Sequence, residues 1–339
     1  MRGLNYLLSA FVVTLCSTAS VSSAVAAGYS EHPEAIKWAE KMKAQGFSAA
    51  DVDALLNGVK KQQSILNAMD RPAEKRLDWG GYRKLFLEPK RINRGVIFWF
   101  EHEASIARAA AEYGVPEEII VSIIGIETYF GRNMGSYRAM DALATLGFDY
   151  PRRAEFFQGQ LTNLLTISQQ ETRPLTRMKS SYAGAMGYGQ FMPSSYLDYA
   201  IDFDGDGDRD IWGSPDDAIG SVANYFKAFG WQTGGPVVIP VTVSTDISDE
   251  SLINTGEVPT KTVAQWKELG VSFDSGVLAD TSQPAVLLKM KDKDNVQYLL
   301  GFNNYYVITR YNRSRLYANA VYRLAEAIAQ ARADELKGS

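Results

Sequence analysis

Glu127 closes an almost wholly apolar run, Ile119 to Ile126. On a helix it shares a face with Ile120, Ile123 and Ile124, at spacings of seven, four and three residues. An ionised carboxylate on such a face is costly unless it is paired. Desolvation therefore favours the neutral acid. A carboxylic acid that keeps its proton at neutral pH can pass it to a leaving oxygen, which is general acid catalysis. The competing reading is structural, a buried Glu that satisfies a nearby backbone group. Periodicity alone favours the structural reading.

A second chemical pattern is DFDGDGD at residues 202–208, which matches the first half of an EF-hand calcium loop. The twelfth position, where a bidentate Glu belongs, is Gly213. A longer loop can close at Asp217 or at Asp216. Asp residues at alternate positions repel one another without a cation; the bland alternative is a solvated acidic turn. Asp141, Asp149 and Glu155 are the other acids that could assist Glu127. They read as helix starts and as partners of Arg152 or Arg153. Ser181 is a poor nucleophile candidate, because His32 and His102 are the only histidines and neither sits in a triad-like motif.

The elements around these residues follow from pattern. Pro116 suits a first helical turn, Glu117 and Glu118 suit the positive helix start, and Gly131 marks the stop. Residues 33–70, 100–113, 152–172, 215–229 and 314–336 also read as helices. The composition changes at Thr233. Residues 236–246 and 284–308 carry β-branched, alternating patterns, with a short helix at 263–269 between them. The fold class expected is α+β and mostly helical. Four parts are expected: a signal peptide at 1–27, a helical N-terminal region at 28–110, a core at 111–232 plus 300–339 with a C-terminal helix, and a small β-rich insertion at 233–299.

The 339 residues carry a formal charge of −4 with no run of like charges, which excludes a nucleic-acid footprint. Arg2, the apolar stretch Leu4 to Cys16 and Ala24-Val25-Ala26 form the three parts of a cleavable export signal. Cys16 is the single cysteine. Leu15 stands where a lipid-attachment site wants a small residue, so no lipid anchor is read there. The mature chain then lacks thiol chemistry and disulfides, and it is expected in the periplasm.

The segment IETYFGRN at 126–133 resembles the catalytic signature of the lytic murein transglycosylase B family, glycoside hydrolase family 103. Further stretches resemble that family in its order: DALATLGFDYPRRAEFF at 141–157, SYAGAMGYGQFMPSSY at 181–196, DAIGSVANYFKAFGW at 217–231 and FNNYYVITRYNRS at 302–314. The resemblance covers about residues 33–330. It implies a lysozyme-like core in which Glu127 is the sole acid/base at the end of a buried helix. It implies cleavage of the MurNAc-β-1,4-GlcNAc bond of peptidoglycan, with 1,6-anhydro-MurNAc ends. Ser181 and Gln190 are implied sugar contacts, and Tyr82, Tyr225, Asn304, Tyr306 and Tyr311 are weaker groove candidates. It also implies an extended calcium loop closed by the Asp of DAIGS: Asp202, Asp204, Asp206, the Asp208 carbonyl and Asp217, with calcium in a structural role and no organic cofactor. The expected partners are peptidoglycan glycan strands and, as candidates, cell-wall synthases; a monomer is expected. The alternatives are a lysozyme-type hydrolase of the same bond and a non-catalytic peptidoglycan-binding protein.

Overall fold

The computed structural model describes residues 28–338 except 71–76, 245–251, 254–257, 275, 277, 279 and 294. The expected signal segment 1–27, the loop at Pro72 and part of the β-rich segment lie outside the described residues. The protein is mostly helical, with two small antiparallel sheets among the described residues, as the α+β reading expects. No helix among the described residues is long and apolar enough to cross a membrane.

Two helical cores share the molecule. The first is built by α4 (Trp79–Phe86), α5 (Pro89–Glu101), α6 (Glu103–Tyr113), α7 (Glu117–Thr128), α11 (Pro215–Ala228), α13 (Asn303–Tyr311) and α14 (Arg315–Gly338). The second is built by α1 (Pro33–Ala44), α2 (Ala49–Gly58), α3 (Gln63–Met69), α8 (Ala139–Asp149), α9 (Ala154–Gln170) and α10 (Pro193–Tyr199). The expected single N-terminal region 28–110 is therefore divided: Tyr29 to Ile65 pack into one core, and Trp79 to Ala109 into the other. An amphipathic stripe reports that a face is covered and leaves open what covers it.

Helix α7 runs through the middle of the first core. Every residue from Ile119 to Ile126 is buried, so the helix is apolar on all sides rather than along one stripe. Each fully buried isoleucine there contributes about 1.5–3 kcal/mol of burial free energy. Helix α14 lies against α7, and the Ser122 hydroxyl ties the two by donating to the Val321 carbonyl at 2.7 Å.

The larger sheet comprises β3 (Val238–Val243), β4 (Lys261–Thr262), β5 (Val271–Ser272), β6 (Pro284–Asp292) and β7 (Asn295–Gly301), in the order β4-β6-β7-β3-β5. Alternation along β6 sends Val286, Leu288 and Met290 into the first helical core and Ala285 and Leu287 to the opposite face. The short helix α12 (Val263–Glu268) covers that opposite face with Val263 and Trp266, and Thr262 and Gln265 form its capping box. The strand pattern expected to run to residue 308 stops at Gly301, because residues 303–311 form α13. In the second sheet β1 (Tyr137–Arg138) pairs with β2 (Lys179–Ser180) beside α8.

Candidate active site

Helix α7 carries Glu127 one residue before its end. The corner that follows is unusual: Tyr129 has φ 53°, Phe130 φ 58° and Gly131 φ 80°. Two successive non-glycine residues in the left-handed region cost on the order of 1–2 kcal/mol each. Packing and hydrogen bonds offset that cost. Phe130 is buried, with its ring 5.5 Å from that of Phe98 and lying over Gly125, where a Cβ would come within 2.6 Å of it. The Thr128 hydroxyl lies 3.0 Å from the Tyr188 carbonyl and accepts the Gly131 N–H at 3.0 Å. At Gly131 a Cβ would meet the Tyr188 ring at 2.1 Å, so the left-handed turn and the ring together demand glycine.

The corner leaves Glu127 partly exposed at the edge of the core, while its neighbours Ile126 and Thr128 are buried. The Tyr317 hydroxyl, from the first turn of α14, donates to Glu127 Oε1 at 2.5 Å. Burial first, then the charge of Glu127, pushes the Tyr317 phenol well above its ordinary pKa. It remains a neutral hydrogen-bond donor throughout the physiological range. Burial and then the charge of Glu127 act on Tyr311 in the same direction, and Tyr225 is raised chiefly by burial with Glu127 contributing least. The charge of Glu127 thus acts on three phenols, of which Tyr317 donates to it directly. Tyr317 was not among the sequence candidates. Its signal was present: it heads the buried stripe Tyr317, Val321, Leu324, Ile328 on the C-terminal helix.

The remaining candidates fall into two groups. Ser181 and Gln190 sit in the loop that faces the corner. The Ser181 hydroxyl accepts the Ala185 N–H at 3.2 Å, and Gln190, left-handed at φ 51°, donates to the Gly187 carbonyl at 2.9 Å. Tyr311 joins this group, because its hydroxyl donates to the Gly189 carbonyl at 2.6 Å and its ring touches both cores. Tyr182, 43% exposed beside Ser181, is a further aromatic surface there. Asn304 corrects the expectation. It is buried, and its amide is spent on the Gln232 N–H and on the Gln232 and Gly235 carbonyls, so it fastens the chain entering the sheet. Tyr225 is also a frame residue at its polar end, donating to the Arg310 carbonyl. Tyr82 is buried, and Tyr306 lies under the Arg310 guanidinium at 4.2 Å.

Two of the three other acids have partners of their own, and Glu155 stands in the first turn of α9. Asp141 is buried, paired with Arg138 and accepting the Lys60 N–H. Asp149 pairs with Lys61 and accepts from Tyr29. Both partners differ from the expected Arg152 and Arg153.

In the acidic loop, Asp202, Asp204 and Asp217 each offer a carboxylate oxygen within 4.8 Å of the others. Asp217 is fully buried and draws the loop around itself, accepting the N–H groups of Phe203 and Asp210, both at 2.7 Å, and of Asp204 at 3.2 Å. Burial raises its pKa while these N–H groups oppose the shift. Asp216 points elsewhere, with its carboxylate 4.0 Å from His102. Asp206 accepts the Asp208 N–H, and the Asp208 carboxylate is held by Arg173. The converging donors are hard carboxylate oxygens, which suit calcium.

Residues 30–326 match the transglycosylase SLT domain model. Membrane-bound lytic murein transglycosylase B of Escherichia coli is 41% identical over 314 residues, covering 90% of this chain and 85% of that protein. The crystal structure of soluble lytic transglycosylase SltB1 from Pseudomonas aeruginosa superposes with a TM-score of 0.83 at 47% identity, covering 89% of this chain and all of that one. E. coli Slt35, solved in complex with calcium, gives 0.81 at 42% identity, covering 91% and 96%. P. aeruginosa SltB3, solved with NAG-anhNAM-pentapeptide, gives 0.75 at 32% identity, covering 87% and 78%. A family model spanning nearly the whole described chain, on a lysozyme-like helical fold, is decisive: the chain belongs to the SLT family of lytic murein transglycosylases, enzymes that break glycosidic bonds of peptidoglycan.

Proposed function

We propose that Glu127 is the only acid/base of the reaction and that the product is a 1,6-anhydro-MurNAc end. The observation that carries this reading is the Tyr317 hydrogen bond to Oε1 on a partly exposed carboxyl group at the end of a buried helix. With Oε1 accepting the phenol, the proton of the acid form resides on Oε2. That proton passes to the oxygen joining MurNAc to GlcNAc, and the C1–O bond breaks. The electron-poor C1 is relieved by the sugar's own 2-acetamido oxygen. Glu127, now a carboxylate, removes the proton from the C6 hydroxyl of the same sugar, and O6 bonds to C1. The proton count closes on Glu127 and no water is consumed. One residue serving first as donor and then as acceptor is ordinary acid/base switching, and the intramolecular hydroxyl has the advantage of proximity.

Two-carboxylate glycosidases place a second acid across the bond. The engagement of Asp141 and Asp149 with Arg138 and Lys61 supports a single-acid route. The anhydro sugar bound in the SltB3 structure supports the same product here. Calcium held by Asp202, Asp204 and Asp217 has a structural role in this reading, bracing the loop that leads into α11. Substrate location is consistent with export after removal of residues 1–27.

The deciding experiment is mass spectrometry of sacculi digested by wild type and by Glu127→Gln. Anhydro ends are lighter than hydrolytic ends by one water. A wild-type digest with reducing ends favours the hydrolase alternative. Undiminished lysis by Glu127→Gln overturns the role given to Glu127.

A further inference from the structure

Helix α5 begins at Pro89, and Arg91 in its first turn reaches across to the end of α7. Its Nη1 donates to the Gly125 carbonyl at 2.6 Å, and its Nη2 reaches the Leu85 carbonyl at 3.3 Å. The guanidinium carbon lies 4.8 Å from the centre of the Tyr129 ring and 5.3 Å from that of Phe86. Nε is buried without a hydrogen-bond partner. Arg91 makes no ion pair among the described residues. A cation taken partly out of water with no carboxylate in direct contact is expensive to keep; burial lowers the Arg91 pKa, and the charge of Glu88 only opposes that shift. Here the guanidinium joins the end of α4, at Leu85 and Phe86, to the last turn of α7 at Gly125 and to the Tyr129 ring that opens the left-handed corner.

We propose that Arg91 is a positioning residue for Glu127: its guanidinium locks the strained corner that ends α7 and so fixes where the carboxyl group points. The Gly125 carbonyl receives both the Tyr129 N–H at 3.1 Å and Arg91 at 2.6 Å. One acceptor therefore ties the last turn of the helix to α5. A cation at a helix C-terminus also matches the partial negative charge there. The planar fork bridges two carbonyls while stacking on Tyr129, which a lysine ammonium does not reproduce. Glu127 is two residues from Gly125 and two from Tyr129. A corner that relaxes at either point displaces the acid.

This proposal rests on the role assigned to Glu127. The test measures kcat and KM separately, on a soluble glycan fragment resolved by chromatography, for wild type, Arg91→Met, Arg91→Lys and Glu127→Gln. A misplacement of about 1 Å costs roughly 100-fold in rate, so Arg91→Met is expected to lose about 10- to 100-fold in kcat with KM within about twofold. Arg91→Lys is expected between the two, at near-native Tm. In a fourth variant, Arg91→Ala, which leaves room for the ion, added guanidinium is expected to restore part of kcat, and to restore none to Glu127→Gln. Should Arg91→Met fail to fold, Arg91→Lys decides. Native kcat in folded Arg91→Lys overturns the proposal, as does activity lost only in proportion to unfolded protein. Activity in Glu127→Gln removes the underlying assignment instead, so the two failures are distinguishable.

Discussion

Replacing Tyr317 by Phe removes one oxygen atom from the site and leaves the ring in place. The hydroxyl donates to Glu127 Oε1 at 2.5 Å, and Tyr317 is 2% exposed, so water has little room to substitute. A neutral hydrogen bond contributes about 0.5–1.5 kcal/mol, and one to a charged group about 1.5–3 kcal/mol. In the proposed mechanism Glu127 is neutral before proton transfer and becomes charged as the glycosidic bond breaks. The phenol therefore strengthens its hold by about 1–2 kcal/mol on approach to the transition state. Tyr317→Phe is expected to lower kcat by about 5- to 30-fold with KM nearly unchanged. The pH profile has a determined sign. A phenol that donates favours the carboxylate over the acid. Without it the acid form persists to higher pH, and the alkaline limb of the rate profile moves upward. Steady-state release of soluble muropeptides across a pH series measures both effects. A variant with wild-type kcat and an unmoved alkaline limb, alongside an inactive Glu127→Gln, would refute the reasoning.

Three further outcomes follow from the same structure. Asn319 is fully buried on α14 with both amide atoms unpartnered, so Asn319→Ala is expected to stabilise the fold by about 1 kcal/mol after the small cavity is discounted. Chemical denaturation checks this, and a fall in stability refutes it. Gly131→Ala forces a left-handed alanine against the Tyr188 ring, so a loss of at least about 2 kcal/mol and of most activity is expected, read by Tm and kcat together. Calcium at about 100 times its Kd is expected to stabilise the wild type by about 2.7 kcal/mol, reversed by chelator. Asp202→Asn and Asp217→Asn are expected to abolish that gain in calorimetry while Asp216→Asn keeps it, because Asp216 faces His102.

Local chemistry was legible in the sequence where it is written in neighbouring residues. The isoleucine spacing, Pro116 and Gly131 marked the helix that carries Glu127, and alternating aspartates marked the acidic loop. What escaped is long-range. Arg173 captures Asp208 from 35 positions away, Arg91 reaches Gly125 across 34, and Tyr317 meets Glu127 across 190. No periodicity encodes such meetings, since each depends on how two helices cross. Residues 303–308 misled for a related reason: Tyr305, Val307 and Ile308 are β-formers by type, yet burial against α14 and the sheet decides for helix. The left-handed Tyr129 and Phe130 are the least readable of all, because neither is glycine and neither residue type favours that region. Their conformation is imposed by the Phe130 pocket, the Thr128 hydroxyl and Arg91, so the local preference is overruled where the chain presents its acid. A corner held by distant residues against its own preference stays fixed only while those residues remain. That is why substitutions at Arg91 or Gly131, which touch no sugar in this reading, are expected to register in kcat before they register in binding.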